Sequence, residues 1–160
     1  MDRTLAHLLS RLRMVLIYLI FIYLFGGLLL YFLQDRLIFL GERLDADYEF
    51  EFTTPFEEHL IATSQGGEIS VLLFRADSSK GLIVYFHGNA GSLARWGFVA
   101  EEFVKLNYDV AMVDYRGYGK STGVRNEQTL LSDAVEVYDF FRSRYNEDQM
   151  VLYGRSIGSG

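Results

Sequence analysis

Met150-Val151-Leu152-Tyr153-Gly154-Arg155-Ser156-Ile157-Gly158 carries an apolar run directly into a G-x-S-x-G sequence close to the last residue, Gly160. An apolar strand that empties into this spacing has the pattern of a nucleophile elbow. The requirement for glycine is steric. A serine held on a strained strand-to-helix turn exposes its hydroxyl, and a Cβ two residues to either side would crowd that turn.

Working back from the elbow, the chain alternates between two periodicities. Leu82-Ile83-Val84-Tyr85-Phe86 is continuously apolar, as a strand covered on both faces would be. Residues 92–107 come next, with helical spacing of Leu93, Trp96, Phe98, Val99, Phe103 and Leu106. Val110 to Val113 is a second short apolar strand. Asn126 is placed to cap a helix whose apolar face includes Leu130, Ala134, Val137, Phe140 and Phe141. Ahead of these, residues 58–63 and 69–75 read as strands joined by a hairpin turn at Ser64-Gln65-Gly66-Gly67. Tyr48, Phe50 and Phe52 alternate with Glu49 and Glu51, which predicts a further half-buried strand. An antiparallel start and then strand, helix, strand, helix, strand predict an α/β fold with a mostly parallel sheet flanked by helices.

Three loops leave the C-terminal ends of three predicted strands, the edge on which open α/β sheets build sites. The first is His87-Gly88-Asn89-Ala90-Gly91-Ser92. The second is Asp114-Tyr115-Arg116-Gly117-Tyr118-Gly119-Lys120-Ser121-Thr122-Gly123, and the third is the elbow. Together and in this order they resemble the α/β-hydrolase superfamily, in particular its membrane-anchored serine-hydrolase branch, across residues 48–160. The resemblance implies that Ser156 is the nucleophile of acyl transfer. It implies an oxyanion hole made by the backbone N–H of Ile157 and by that of Asn89, with Ala90 as the neighbouring alternative. His87, Gly88, Ala90, Tyr115, Arg116 and Arg155 would support the pocket and its loops. A helix starting at Ile157 would add its positive end. The family's chain order is serine, acid, histidine. His87 precedes the serine, so its implied role is to fix its own loop, and Asp114 would bond the backbone of its turn. His59 is expected at the surface.

The family's acid and histidine lie downstream of the elbow and have no counterpart up to Gly160. The chain is therefore expected to be the N-terminal half of the fold, truncated after the elbow. Alone it is expected to show little or no hydrolysis and to leave residues 150–153 as an uncovered apolar edge.

Met14 to Leu33 contains 20 residues without a charge, about 30 Å of helix at about 1.5 Å per residue, the thickness of a bilayer core. A cleaved signal peptide has a shorter apolar region ending in small residues, which this run lacks. The expected organisation is a cytosolic segment 1–13, a transmembrane anchor 14–33, a connector 34–47 and the partial hydrolase domain 48–160. Arg3, Arg11 and Arg13 precede the anchor against Arg36 and Arg43 after it. That bias favours a cytosolic N-terminus and a hydrolase domain on the periplasmic or lumenal side. The apolar patch Leu37 to Leu40 would lie at the membrane interface.

The net charge of −6, with no basic cluster outside the N-terminus, gives no sign of a nucleic-acid partner. Without cysteine, and with only His7, His59 and His87, the chain offers no disulfide and no multi-histidine metal site. No cofactor is implied. Gly119-Lys120-Ser121 fails as a phosphate loop because Asp114 stands where glycine is needed, and Gly117-x-Gly119 fails as a dinucleotide fingerprint because Gly123 falls one position late. The expected partners are the bilayer and an ester, thioester or lipid acyl substrate. A peptidase of the same fold, or an anchored binding protein without catalysis, are the alternatives.

Overall fold

The computed structural model describes residues 3–160; Met1 and Asp2, at the head of the expected cytosolic segment, lie outside them. The chain divides into two units, Met1–Phe39 and Leu40–Gly160.

The first unit is one helix, α1 (Arg3–Ile38). It extends the uncharged run at both ends, so residues 34–38 of the expected connector are helical. Gly26-Gly27 does not interrupt it. Within His7–Ile38 the most apolar 18-residue stretch has a mean hydropathy of 2.5, and none of that stretch is buried. Among the described residues this is the one helix long and apolar enough to cross a membrane.

The second unit is built on a five-stranded sheet, in the order Phe56–Ala62 (β2), Glu68–Phe74 (β3), Asp109–Val113 (β6), Leu82–Phe86 (β4), Met150–Gly154 (β7). Strands β2 (Phe56–Ala62) and β3 (Glu68–Phe74) form the antiparallel hairpin. Strand β3 also pairs antiparallel with β6 (Asp109–Val113). Strand β4 (Leu82–Phe86) lies between β6 and β7 (Met150–Gly154), parallel to both. Its central place explains its unbroken apolar sequence. A separate two-residue pairing joins β1 (Leu40–Gly41) in parallel to β5 (Ala90–Gly91).

Alternation along the strands sorts the core into two layers. Val71, Leu73, Leu82, Val84, Ala111 and Val113 face Val137 and Phe141 of α4 (Glu127–Arg142). Leu72, Phe74, Ile83, Tyr85, Val110 and Met112 face Leu93 and Ala100 on the other side. Helices therefore cover both faces. The strand order reverses at β4, the place where open α/β sheets form their crevice. Helix α4 begins with a capping box in which Asn126 and Thr129 satisfy each other's backbone N–H groups.

Three local expectations differ from the structure. Residues 48–52 are irregular rather than a strand. The alternation does turn Phe50 and Phe52 the same way, into a cluster with Phe56 and Phe74, but no strand edge pairs with the backbone. The helix read over 92–107 is broken into α2 (Leu93–Trp96), a 3-10 turn Gly97–Val99, and α3 (Ala100–Val104). At the break the Phe52 ring lies against Gly97, in the space a Cβ would occupy, and glycine weakens a continuous helix. His59 is half-buried against the Phe140 ring rather than at the open surface.

Arg116 ties the elements of this unit together. Its side chain is 1% exposed and forms a bidentate pair with Asp133 of α4, at 2.6 and 2.7 Å. It also donates to the Gly66 carbonyl and the Thr63 hydroxyl of the hairpin turn. Removing one partner of a buried pair leaves an uncompensated charge. Asp133→Asn is expected to destabilise the protein by about 3 kcal/mol, read as a lower urea midpoint at unchanged slope. Lys105→Ala, which removes an exposed surface pair with Glu102, should leave that midpoint where it is.

Candidate active site

Strands β4, β6 and β7 finish in register, with Phe86 opposite Val113 on one side and Gly154 on the other. The loops beginning at His87, Asp114 and Arg155 consequently leave one edge of the sheet side by side.

Ser156 has φ of +56°, and only Asn107 among the described non-glycine residues shares a positive φ. This left-handed conformation costs an L-residue roughly 1–2 kcal/mol. The surrounding backbone enforces it. The Arg155 N–H donates to the Phe86 carbonyl at 2.9 Å, continuing the β4–β7 ladder by one bond into the turn. A Cβ on Gly154 would overlap the Gly158 carbonyl, and one on Gly158 would overlap the Phe86 carbonyl and come within 2.7 Å of the Tyr115 hydroxyl. No side chain larger than hydrogen fits at either position. The Ser156 side chain is left exposed at the sharp corner. The chain then makes a four-residue 3-10 turn, Ser156–Ser159, rather than a regular helix from Ile157. The turn is closed by Gly158 N–H to the Arg155 carbonyl, and the Ser159 hydroxyl donates to the Ser156 carbonyl. Ile157 is the first residue after the corner.

The loop after β4 is held from beneath by His87, which has no exposed surface. Its Nδ1 lies 2.6 Å from the Gly88 carbonyl and its Nε2 lies 3.0 Å from Asp114 Oδ1. A carbonyl can only accept, so Nδ1 carries a proton. The second bridge also needs one proton, shared between Nε2 and the carboxyl. With both nitrogens occupied and no exposed surface, His87 is not available as a base for Ser156. Its ring stacks on Trp96 and packs against Tyr115 and Tyr118.

Asp114 is fully buried, and that burial raises its carboxyl above the ordinary range, against the opposing pull of His87 and the Leu93 N–H. Its Oδ2 accepts from the Leu93 N–H at 3.1 Å, at the start of α2. The sequence pattern gives Asp114 a backbone role and carries no sign of its bond to His87. Twenty-seven residues separate the two, and only the β4–β6 pairing brings them together.

Tyr115 donates its hydroxyl to the His87 carbonyl at 2.6 Å, and burial pushes its phenol pKa up. Gly88 is buried close to the elbow; a Cβ on it would lie 3.9 Å from the Arg155 carbonyl. The Asn89 carbonyl accepts from the Leu40 N–H and the Tyr118 hydroxyl, and the Ala90 carbonyl accepts from Trp96 Nε1. The Arg155 guanidinium lies 5.0 Å over the Trp96 ring. Arg116, expected to support the pocket and its loops, ties the hairpin turn to α4, because Asp133 and the Gly66 carbonyl capture its guanidinium. Leu40 and Tyr118 are not legible as site residues from sequence: a two-residue strand has no periodicity to detect. Among the described residues no group of acidic and histidine side chains could hold a metal ion.

This geometry has relatives. A family model described as serine aminopeptidase, S33 (Hydrolase_4) matches residues 77–160, just over half of the chain. Lysophosphatidylserine lipase ABHD12 of Macaca fascicularis is 38% identical over 87 residues, covering 52% of this chain and 21% of the relative. Alpha/beta hydrolase domain-containing protein 17B of Xenopus laevis is 31% identical over 124 residues, covering 75% of this chain and 43% of the relative. The chain thus matches less than half the length of either. The Pyrococcus furiosus esterase Pf2001 has the same fold at a TM-score of 0.61 and 20% identity, over 75% of this chain and 49% of the esterase. Strand order, the corner after β7 and the family match agree, and the chain belongs to the Hydrolase_4 (serine aminopeptidase, S33) family of the α/β-hydrolase superfamily.

Proposed function

We propose that Ser156 is the nucleophile of a membrane-anchored serine hydrolase that cleaves ester, thioester or lipid acyl bonds. The observation that carries this reading is the forced corner at Ser156, exposed beside the His87–Ala90 loop. The lipase and esterase named among the relatives favour an acyl substrate, whether a small molecule, a lipid or a lipidated protein. The name of the matched family keeps peptide bonds as a second reading.

In this mechanism the Ser156 hydroxyl adds to the carbonyl carbon as its proton passes to a base. The oxygen takes up the negative charge and the intermediate collapses to an acyl-enzyme, expelling the protonated leaving group. Water then adds to the acyl-enzyme and releases the acid. The Ile157 N–H, next to the nucleophile, and the Asn89 N–H are assigned to the oxyanion, where each donor is worth about 2.7–4 kcal/mol. His87 orients the second donor. A peptide is planar and trans, so holding the Gly88 carbonyl on His87 Nδ1 turns the Asn89 N–H the opposite way. Because His87 is committed to that task, the base and its acid are assigned to sequence beyond the elbow in the full-length protein. The 160 residues alone are expected not to turn over esters.

Helix α1 is assigned as the anchor, with the bilayer as partner through residues 14–33, the N-terminus cytosolic and the hydrolase unit periplasmic or lumenal.

Full-length protein in membranes is expected to be labelled by a fluorophosphonate probe, with labelling lost in Ser156→Ala. Labelling that survives the substitution refutes the nucleophile assignment, and absence of labelling in the unmodified protein favours an anchored binding protein. In sealed vesicles of cytosolic-side-out orientation, added protease should leave the hydrolase unit intact until detergent is added. Digestion without detergent would reverse the orientation.

A further inference from the structure

We propose that residues 40–44, which join α1 to the hydrolase unit, form a positioning element that holds the oxyanion loop in its working orientation. This rests on the assignment of Ser156 and Asn89 above, and adds to it a role for a stretch that reads as a plain connector.

Within the hydrolase unit, this segment is bonded to both loops beside the elbow. The Leu40 N–H donates to the Asn89 carbonyl at 2.9 Å and the Glu42 N–H to the Gly91 carbonyl at 3.0 Å, forming the β1–β5 pairing. The next residues turn to the second loop. Gly119 N–H donates to the Glu42 carbonyl at 2.7 Å, and Leu44 N–H donates back to the Gly119 carbonyl at 3.0 Å. Gly41 lies flat against the ring of Tyr118, where a Cβ would stand 2.8 Å from a ring carbon. That contact seats Tyr118, whose hydroxyl is the second donor to the Asn89 carbonyl, at 2.8 Å.

Peptide planarity gives these bonds their effect. His87 holds the Gly88 carbonyl and so fixes the plane that carries the Asn89 N–H. Leu40 and Tyr118 hold the Asn89 carbonyl and so fix the next plane, which carries the Ala90 N–H. With both planes pinned, neither dihedral of Asn89 can turn, and the peptide after it cannot flip. Release of the Leu40 and Tyr118 bonds frees that second plane and with it the Asn89 dihedrals, so that the Asn89 N–H is held through the Gly88 carbonyl alone. Preorganised donors stabilise developing charge only while they stay aimed, so the loss falls on kcat rather than on substrate binding. The bonded atoms are backbone groups and one hydroxyl, which makes the role separable from packing.

The test uses full-length protein in detergent or nanodiscs with a p-nitrophenyl ester, reading kcat, KM and thermal midpoint. Tyr118→Phe keeps the ring and removes the donor. Leu40→Pro removes the amide donor, and Leu40→Ala, which keeps it, is the conservative rescue. Tyr118→Phe and Leu40→Pro are each expected to lower kcat by about fivefold or more with KM within about twofold. The double variant is expected to lose more than the product of the two, because both donors serve one acceptor. The proposal is overturned if Tyr118→Phe stays within about twofold of the unmodified kcat, or if Leu40→Ala loses as much as Leu40→Pro. Should Leu40→Pro fail to fold, Tyr118→Phe decides alone. If the unmodified protein shows no Ser156-dependent turnover, the nucleophile assignment falls and the proposal with it, a result distinct from active protein with indifferent variants.

Discussion

A carboxylate without exposed surface must be surrounded by donors, and Asp114 is such a carboxylate. Its two oxygens take the His87 ring and the Leu93 N–H, and its own backbone follows directly on the last residue of β6. The loop after β4, the first turn of α2 and the loop after β6 are therefore fixed by one side chain. Everything above that knot inherits its position. His87 is free to turn Gly88 only because Asp114 holds the opposite nitrogen, and Tyr115 closes the ring of contacts by bonding the His87 carbonyl. Gly119 completes the packing, since a Cβ there would overlap the Asp114 carboxylate.

The elbow depends on this frame from the other side. Gly158 lies against the Phe86 carbonyl and the Tyr115 hydroxyl, both parts of the same frame. Crowding leaves the backbone no room to relax, so the strain at Ser156 is held by atoms already committed elsewhere. A serine held in this way is exposed without freedom to relax its backbone. The parallel register of β4, β6 and β7 also delivers loops far apart in sequence to one edge. The segment at residues 40–44 then clamps both from outside the sheet.

Wherever one residue type at one spacing had a single physical use, the reading from sequence agrees with the structure. Leu82–Phe86 is apolar throughout because both its faces and both its edges are covered. The Asn126 cap, the Gly66-Gly67 hairpin turn and the strand before the elbow follow from local chemistry alone. Phe50 and Phe52 show the limit. Their alternation is correct about which way the rings point and silent about whether a neighbouring strand accepts the backbone. Gly97 shows a second limit, because the Phe52 ring that takes the place of a Cβ there comes from 45 residues away in the sequence. Arg116 shows a third, since its motif suggests that it pins loops but does not name Asp133, 17 residues on, as its partner.

The amino-acid order by itself determined the α/β class, the three loops at one sheet edge, the apolar N-terminal helix and the identity of the corner serine. These rest on period, steric size and short-range spacing, which are properties of neighbours along the chain. Only the tertiary structure decided that Asp114 meets His87, that Arg116 braces α4, and that Leu40 and Tyr118 hold the Asn89 carbonyl. Those are contacts between groups 17 or more residues apart, made by strand register and by buried polar atoms finding partners, and no local pattern encodes them.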